Sequence, residues 1–278
     1  MAWLDLMKNK FLKYLLVVVL LFSTSFKVLS EEFEIKATKI TLSDNGNILK
    51  AEDNILINTN DGLEIIADKA IYNKKKNILT TEDNIVIKTK DEIEIVADKA
   101  IYNKKNLELN LEGRVFFHDT KNNTIFKSNS IVYKKKEQLI SSDKKTETIL
   151  DGIYFIKSEN LYYNRKLKKI SSNDKIEIKD ALGNKIISED VKFSLIEKFG
   201  KGKNIVFLDN QKNIYNIETG VFDLKNNKIL GKDIEINFSN KISDNKKNNP
   251  RIKGNSIYAD ENETSYFKRS LYNLSKKR

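Results

Sequence analysis

The nonapeptide "ADKAIYNKK" occupies residues 67–75 and recurs letter for letter at 97–105. An active site needs its special residues once, whereas a stretch written twice, thirty positions apart, marks a structural unit copied in series. Looser matching extends the pair into a ladder: "ATKITL" at 37, "ADKAIY" at 67 and 97, "SNSIVY" at 128, "SENLYY" at 158, "SEDVKF" at 188, "IETGVF" at 217 and "KGNSIY" at 253. A second ladder runs between these rungs, with "NILI" at 54–57, "NIVI" at 84–87, "RVFF" at 114–117, "KIEI" at 175–178, "NIVF" at 204–207 and "DIEI" at 233–236. Each unit of about thirty residues thus carries two segments in which apolar and polar residues alternate, rich in Ile, Val, Phe and Tyr. That alternation predicts strands. The polar links between them, such as "NKKKN" at 73–77 and "KTKDE" at 88–92, are too short for crossover helices, so successive strands pair antiparallel.

The faces follow from the phase. In "IEIVADKAIY" (93–102), Ile93, Ile95 and Ala97 share one face, Asp98–Lys99 breaks the alternation as a β-bulge does, and Ala100 and Tyr102 resume it. In the next strand Leu107, Leu109 and Leu111 alternate up to Glu112–Gly113, and Val115 and Phe117 continue. Stacked units predict an all-β, half-open roll with a greasy inner surface, any helix being confined to the leader or an end cap. The predicted inward set is Ile55, Ile57, Ile65, Ile85, Ile87, Ile95, Leu109, Val115, Phe117, Ile176, Ile178, Ile205, Phe207, Ile234 and Ile236. Such an interior is either a sealed core or a trough for something apolar. The strand near Phe33–Leu42, with Phe33, Ile35 and Ile40, has no predecessor to cover it, and is the expected partner edge; Asn255–Ala259 is the expected opposite edge.

Residues 1–30 read as a leader: Lys8, Lys10 and Lys13, then the apolar run "YLLVVVLLF" at 14–22, then a small-residue exit through Ser23, Ser25 and Ser30. Nine apolar residues fall short of the roughly 20 needed to span a bilayer, so a cleaved secretory signal is expected, with an uncleaved anchor as the alternative and Met7 as an alternative start. The expected division is a signal at 1–30, the repeat domain at 31–260 and a C-terminal tail at 261–278. The chain carries a net charge of +11, which suits an anionic partner or reflects an AT-rich genome, given the excess of Lys, Asn and Ile.

Little in the sequence suggests enzyme chemistry. Without cysteine there is no disulfide, thiolate metal site or thiol nucleophile. His118 is the lone histidine and follows Phe116–Phe117, as a strand-end residue does. "GKGK" at 200–203 lacks the spacing of a phosphate loop and reads as a turn. The lysine triplets at 74–76 and 134–136 read as solvated hairpin tips, and Asp68 and Asp98, which recur with the ladder, as structural. No cofactor, metal or nucleic-acid partner is expected.

Units reading A-[DE]-x-A-x-Y followed by an apolar strand around a bulge resemble the OstA-like repeat of the lipopolysaccharide-transport proteins: the periplasmic bridge LptA, the anchored LptC and the N-terminal domain of LptD. "LEGRVFFHD" at 111–119 and both "ADKAIYN" copies carry the resemblance, which covers about residues 33–260. The C-terminal stretch from Pro250, Arg251, Lys253 and Gly254 through "DENETSYFKRSLYN" is similar to the segment by which LptD leaves its periplasmic domain, though the cysteine common there is missing and residues 1–278 do not include the barrel that the resemblance leads one to expect. The chain is therefore either the N-terminal part of an LptD-like protein or a standalone bridge component. The resemblance implies an antiparallel β-jellyroll (β-taco) carrying the acyl chains of lipid A in an apolar groove. It further implies a periplasmic place next to the outer membrane. The implied partners are an LptA-like bridge at the N-terminal edge and, in a full-length protein, an outer-membrane barrel and an LptE-like lipoprotein. A sealed surface solenoid, a transmembrane barrel and a nucleic-acid binder are the alternatives weighed.

Overall fold

The computed structural model describes residues 33–223, 225, 228–239, 251–259 and 265–273. The leader at 1–30 lies outside the described residues. All of the described secondary structure is strand and turn: β1 (Phe33–Lys36), β2 (Lys39–Ser43), β3 (Ile48–Thr59), β4 (Leu63–Asn73), β5 (Ile78–Thr89), β6 (Ile93–Asn103), β7 (Glu108–Asp119) and β8 (Thr124–Lys134). Short strands follow: β9 (Leu139–Ser142), β10 (Thr146–Leu150), β11 (Tyr154–Ser158), β12 (Leu161–Asn164), β13 (Lys169–Ser172) and β14 (Ile176–Lys179). The last six are β15 (Lys185–Ser194), β16 (Phe199–Leu208), β17 (Ile214–Asp223), β18 (Lys228–Asn237), β19 (Arg251–Ala259) and β20 (Ser265–Asn273). They form one antiparallel sheet in which each long strand pairs with its chain neighbours.

The sheet is folded along a line through the middle of the strands. In β3 to β8 the register slips between Glu52 and Ile55, Ile66 and Lys69, Glu82 and Ile85, Val96 and Lys99, and Glu112 and Val115. At these slips Asp53, Asn54, Asp83, Asn84 and Gly113 take positive φ, the left-handed conformation that Asn, Asp and Gly tolerate best. Each strand is therefore two half-strands on two leaves. The upper leaf ends at turns such as 73–78 and 103–108, and the lower leaf at turns such as 59–63 and 89–93. The leaves face each other. Phe33 of the lower leaf packs on Tyr72 of the upper at 4.4 Å, Phe117 on Tyr133 at 5.5 Å, and Tyr154 on Phe193 at 5.6 Å.

From β9 to β14 the fold line is built differently. Here each strand breaks outright, because Ser142, Ser158 and Ser172 turn their hydroxyls onto the backbone N–H two residues on, at 3.2 Å each. The serines also meet one another across the strands, Ser128 with Ser142 at 3.0 Å and Ser158 with Ser172 at 3.1 Å. Thus β9 and β10 are the upper and lower halves of one unit, pairing respectively with the two ends of β8.

Three expectations need correction. "GKGK" lies within β16 and is no turn. Gly200 pairs with Phe222 and Gly202 with Gly220, and a Cβ at Gly200 would strike the Phe222 and Phe193 rings, so the missing side chain leaves room for that stacked pair. Leu107 precedes β7 as a turn residue with φ 53°, its side chain still packed on the core. The sheet continues past residue 260: β20 pairs with β19 along its length, so part of the segment read as a tail is a strand. The outermost described strand at that end is β20, not 255–259.

Candidate functional site

The candidate site is the space between the leaves with the two rims that bound it. Of the inward set, Ile55, Ile57, Ile65, Ile85, Ile87, Ile95, Leu109, Val115, Phe117, Ile176, Ile178, Ile205, Ile234 and Ile236 are buried in one continuous apolar cluster, and Phe207 packs against it partly buried. The strand pleat explains this: with side chains alternating faces, the bulges keep each half-strand's apolar residues pointing inward after the bend. The last aromatic of each rung forms a column down the upper leaf, Tyr72, Tyr102, Tyr133, Tyr163, Phe193 and Phe222, all buried.

The expected partner edge is split. β1 pairs with the lower half of β3 and β2 with its upper half. Phe33 is buried against Tyr72 and Tyr102, Ile35 packs partly buried on the core, and Ile40 is exposed with Leu42 on β2. On the outside of the fold line the recurring aspartates stitch neighbouring strands: Asp68 accepts from the Asn84 amide at 2.6 Å, and Asp98 takes the Arg114 guanidinium at 2.9 Å and its backbone N–H at 3.0 Å. These are exposed contacts, screened by solvent, that join one strand to the next.

The rims hold what the sequence reading missed. Asp61, on the lower rim between β3 and β4, accepts hydrogen bonds from Lys104 at 2.7 Å, from Tyr102 at 2.7 Å and from Lys135, all of the upper leaf. Asp119, 0 % exposed at the end of β7, accepts from Arg165 Nε of the upper rim at 2.5 Å. Arg165 also donates to Gln138 at 2.5 Å and to the Tyr133 hydroxyl at 3.3 Å. Asp151 and Lys168 make a looser pair at 3.6 Å. Lys135, in a triplet read as a solvated tip, is thus enclosed in the mouth of the roll with Lys104. A signal was available: Lys74, Lys104, Lys135 and Arg165 fall at the same turn position in successive units, so a cation recurs where a tip needs none.

Burial opposes ionisation of Asp61, but hydrogen bonds from Lys104, Lys135, Tyr102 and Thr59 together overcome it and hold the carboxyl well below the usual carboxylate range. A folded-state value below the unfolded one stabilises the fold above the unfolded carboxylate pKa of about 4, and that contribution is lost as pH falls toward the folded value. The parent should therefore melt above Asp61→Asn at pH 7, with the gap between them closing as the pH is lowered through 4 toward 2. A gap independent of pH in thermal melts would mean that the carboxylate is not held by these cations.

Among the described residues no group of His, Asp and Glu gathers to hold a metal ion, and no helix is long and apolar enough to cross a membrane. An antiparallel sheet folded on itself around one apolar interior defines a β-roll of jellyroll type. Over residues 86–153, from the lower half of β5 to the turn after β10, the sequence matches the family described as "Lipopolysaccharide-assembly, LptC-related". No curated protein matches the chain. A similar solved structure is that of LptH, the LptA homologous periplasmic component of the lipopolysaccharide transport device of Pseudomonas aeruginosa. The likeness to it has 13 % identity and a TM-score of 0.36, over 39 % of this chain and 79 % of that one.

Proposed function

We propose that the chain is an exported, non-catalytic lipid carrier in lipopolysaccharide transport, whose interior shields the acyl chains of lipid A on their way across the periplasm toward the outer membrane. The observation that carries this reading is the continuity of the apolar interior, one cluster that runs from Ile55 on β3 to Ile236 on β18, with the buried Asp119–Arg165 pair at its rim. The similarity of residues 86–153 to a lipopolysaccharide-assembly family supports the choice of cargo. Each methylene kept from water contributes roughly 0.8 kcal/mol, so a lined passage removes most of the cost of moving such a lipid through an aqueous space.

A photo-crosslinking residue at Ile87 or Phe117 should capture lipopolysaccharide in cells, and one at the outward neighbours Val86 or Phe116 should capture less. Equal capture on both faces would place the cargo elsewhere. No capture at Ile87 or Phe117 would favour a sealed structural roll, the competing reading, which the complete burial of both side chains favours.

The N-terminal edge is proposed to meet an LptA-like bridge protein by strand addition, with a barrel and an LptE-like lipoprotein as partners of any longer form. On that edge Thr38 donates to the Asp53 carbonyl at 2.9 Å. With the antiparallel alternation, the amides of 38, 40 and 42 bond inward and those of Lys39, Thr41 and Ser43 face the outer edge. A proline probe therefore belongs at Thr41, where it removes an outward donor, and not at Ile40. Thr41→Pro should weaken crosslinking to the bridge severalfold while leaving the melting temperature nearly unchanged. Undiminished crosslinking would move the contact off β2.

A further inference from the structure

With its leaves together, the interior of the N-terminal units is closed along the mouth. Ile57, Ile87 and Phe117 are fully enclosed, and behind the rims the aromatics of the two leaves touch. Each rim is held along its own length by backbone hydrogen bonds from turn to turn. On the lower rim Lys90 donates to Gly62 and Thr120 to Glu92, and on the upper Lys104 donates to Asn77 and Lys135 to Leu107. Two such laddered edges move as units, so the side chains spanning them decide whether the mouth is shut. Near the N-terminal end that span is Asp61, reaching from one rim to Lys104, Lys135 and Tyr102 on the other, with Asn60 beside it accepting from Lys104.

We infer that Asp61 is a latch on this mouth, and that an anionic amphiphile opens it by replacing the carboxylate on Lys104 and Lys135 while its chain enters behind Tyr102. The inference rests on the reading of the interior as a carrier site. Two features carry it. Two lysines facing one carboxylate leave the cluster with a surplus positive charge, so a phosphate or similar group on the entering lipid matches it better than Asp61 does. The lysine side chains are only 12 % and 11 % exposed, so their attraction to Asp61 is little screened, and parting the rims gives it up unless another anion takes its place. The anionic amphiphile thus binds the open form better than the closed one in both of its parts, head and chain, and that difference is what shifts the equilibrium. A neutral amphiphile offers the chain alone.

The test uses the purified chain and two probes that brighten on leaving water, 11-(dansylamino)undecanoic acid and its methyl ester. The parent should take up the acid at least tenfold faster than the ester. Asp61→Asn, and Lys135→Gln from the opposite rim, should take up the ester faster than the parent does and so narrow that tenfold preference. Circular dichroism establishes that each variant is folded, and having one from each rim covers the loss of either. The chain has no cysteine, so cysteines at Asn60 and Lys104 can be joined across the mouth by a bismaleimide with a reducible spacer. The tethered protein should exclude both probes until reductant cuts the spacer. Equal uptake before and after cutting, or an unchanged acid-to-ester ratio in the folded variants, overturns the latch and leaves the carrier reading standing. If no probe enters any form, the carrier reading fails and the latch with it.

Discussion

Arg165→Leu should lower the free energy of unfolding by about 3–5 kcal/mol, the cost of leaving one member of a buried ion pair without the other. Asp119 is closed off from water and Arg165 is nearly so, their side chains 0 % and 5 % exposed. The guanidinium also serves Gln138 and Tyr133, so the substitution leaves the Asp119 charge uncompensated and takes a donor from an amide oxygen and a hydroxyl as well. The double variant Asp119→Leu, Arg165→Leu should recover much of the loss, because two leucines facing each other remove the stranded charge. Recovery will be incomplete, as Asp119 also accepts from the Asn122 backbone at 3.2 Å and from its amide at 2.8 Å. Urea unfolding of the parent, the single variant and the double variant settles the matter. A single variant within about 1 kcal/mol of the parent would mean that water reaches the pair.

Phe117→Ala should cost about as much, roughly 3–5 kcal/mol, whereas Phe116→Ala should cost under about 1 kcal/mol. The two phenylalanines are neighbours in sequence and opposite in surroundings. Phe117 is enclosed, edge-on to Phe126 at 5.9 Å and to Tyr133 at 5.5 Å, so its loss opens a cavity between the leaves. Phe116 is on the outer face, partly exposed, with Lys127 over its ring at 5.9 Å. Equal losses in the two denaturant midpoints would mean a register shifted by one residue, which exchanges the faces of the whole strand.

The hairpin ladder and its faces were legible because both obey short-range rules. Strand pleat has period two, turns declare themselves by composition, and the repeat shows each pattern several times. Ile57, Ile87 and Phe117 could be assigned inward from a handful of neighbours each. The rims were not legible, because Asp61 meets residues 43 and 74 positions away, and Asp119 one 46 away. Those offsets come from how far each leaf is sheared over the other, which depends on the whole sheet and on no single stretch. The middle units differ for a local reason: serines next to the bend turn onto the backbone and cut in two strands that elsewhere run through, and the second ladder's rung at 145–148, "KTET", carries threonines in place of its apolar residues. In "GKGK" the composition of a turn appeared where large rings across the interior had displaced side chains from a strand.

The identical nonapeptides lie at equivalent places, the upper half and turn of β4 and the upper half and turn of β6. Exchange between the two coding copies would therefore remove or insert thirty residues while leaving every junction residue as it was. Each such event takes away or adds two strands, changing the roll by about 10 Å at roughly 4.8 Å per strand. The length of the sheet accordingly moves in whole steps, and it can grow or shrink by copying a unit without inventing a new one.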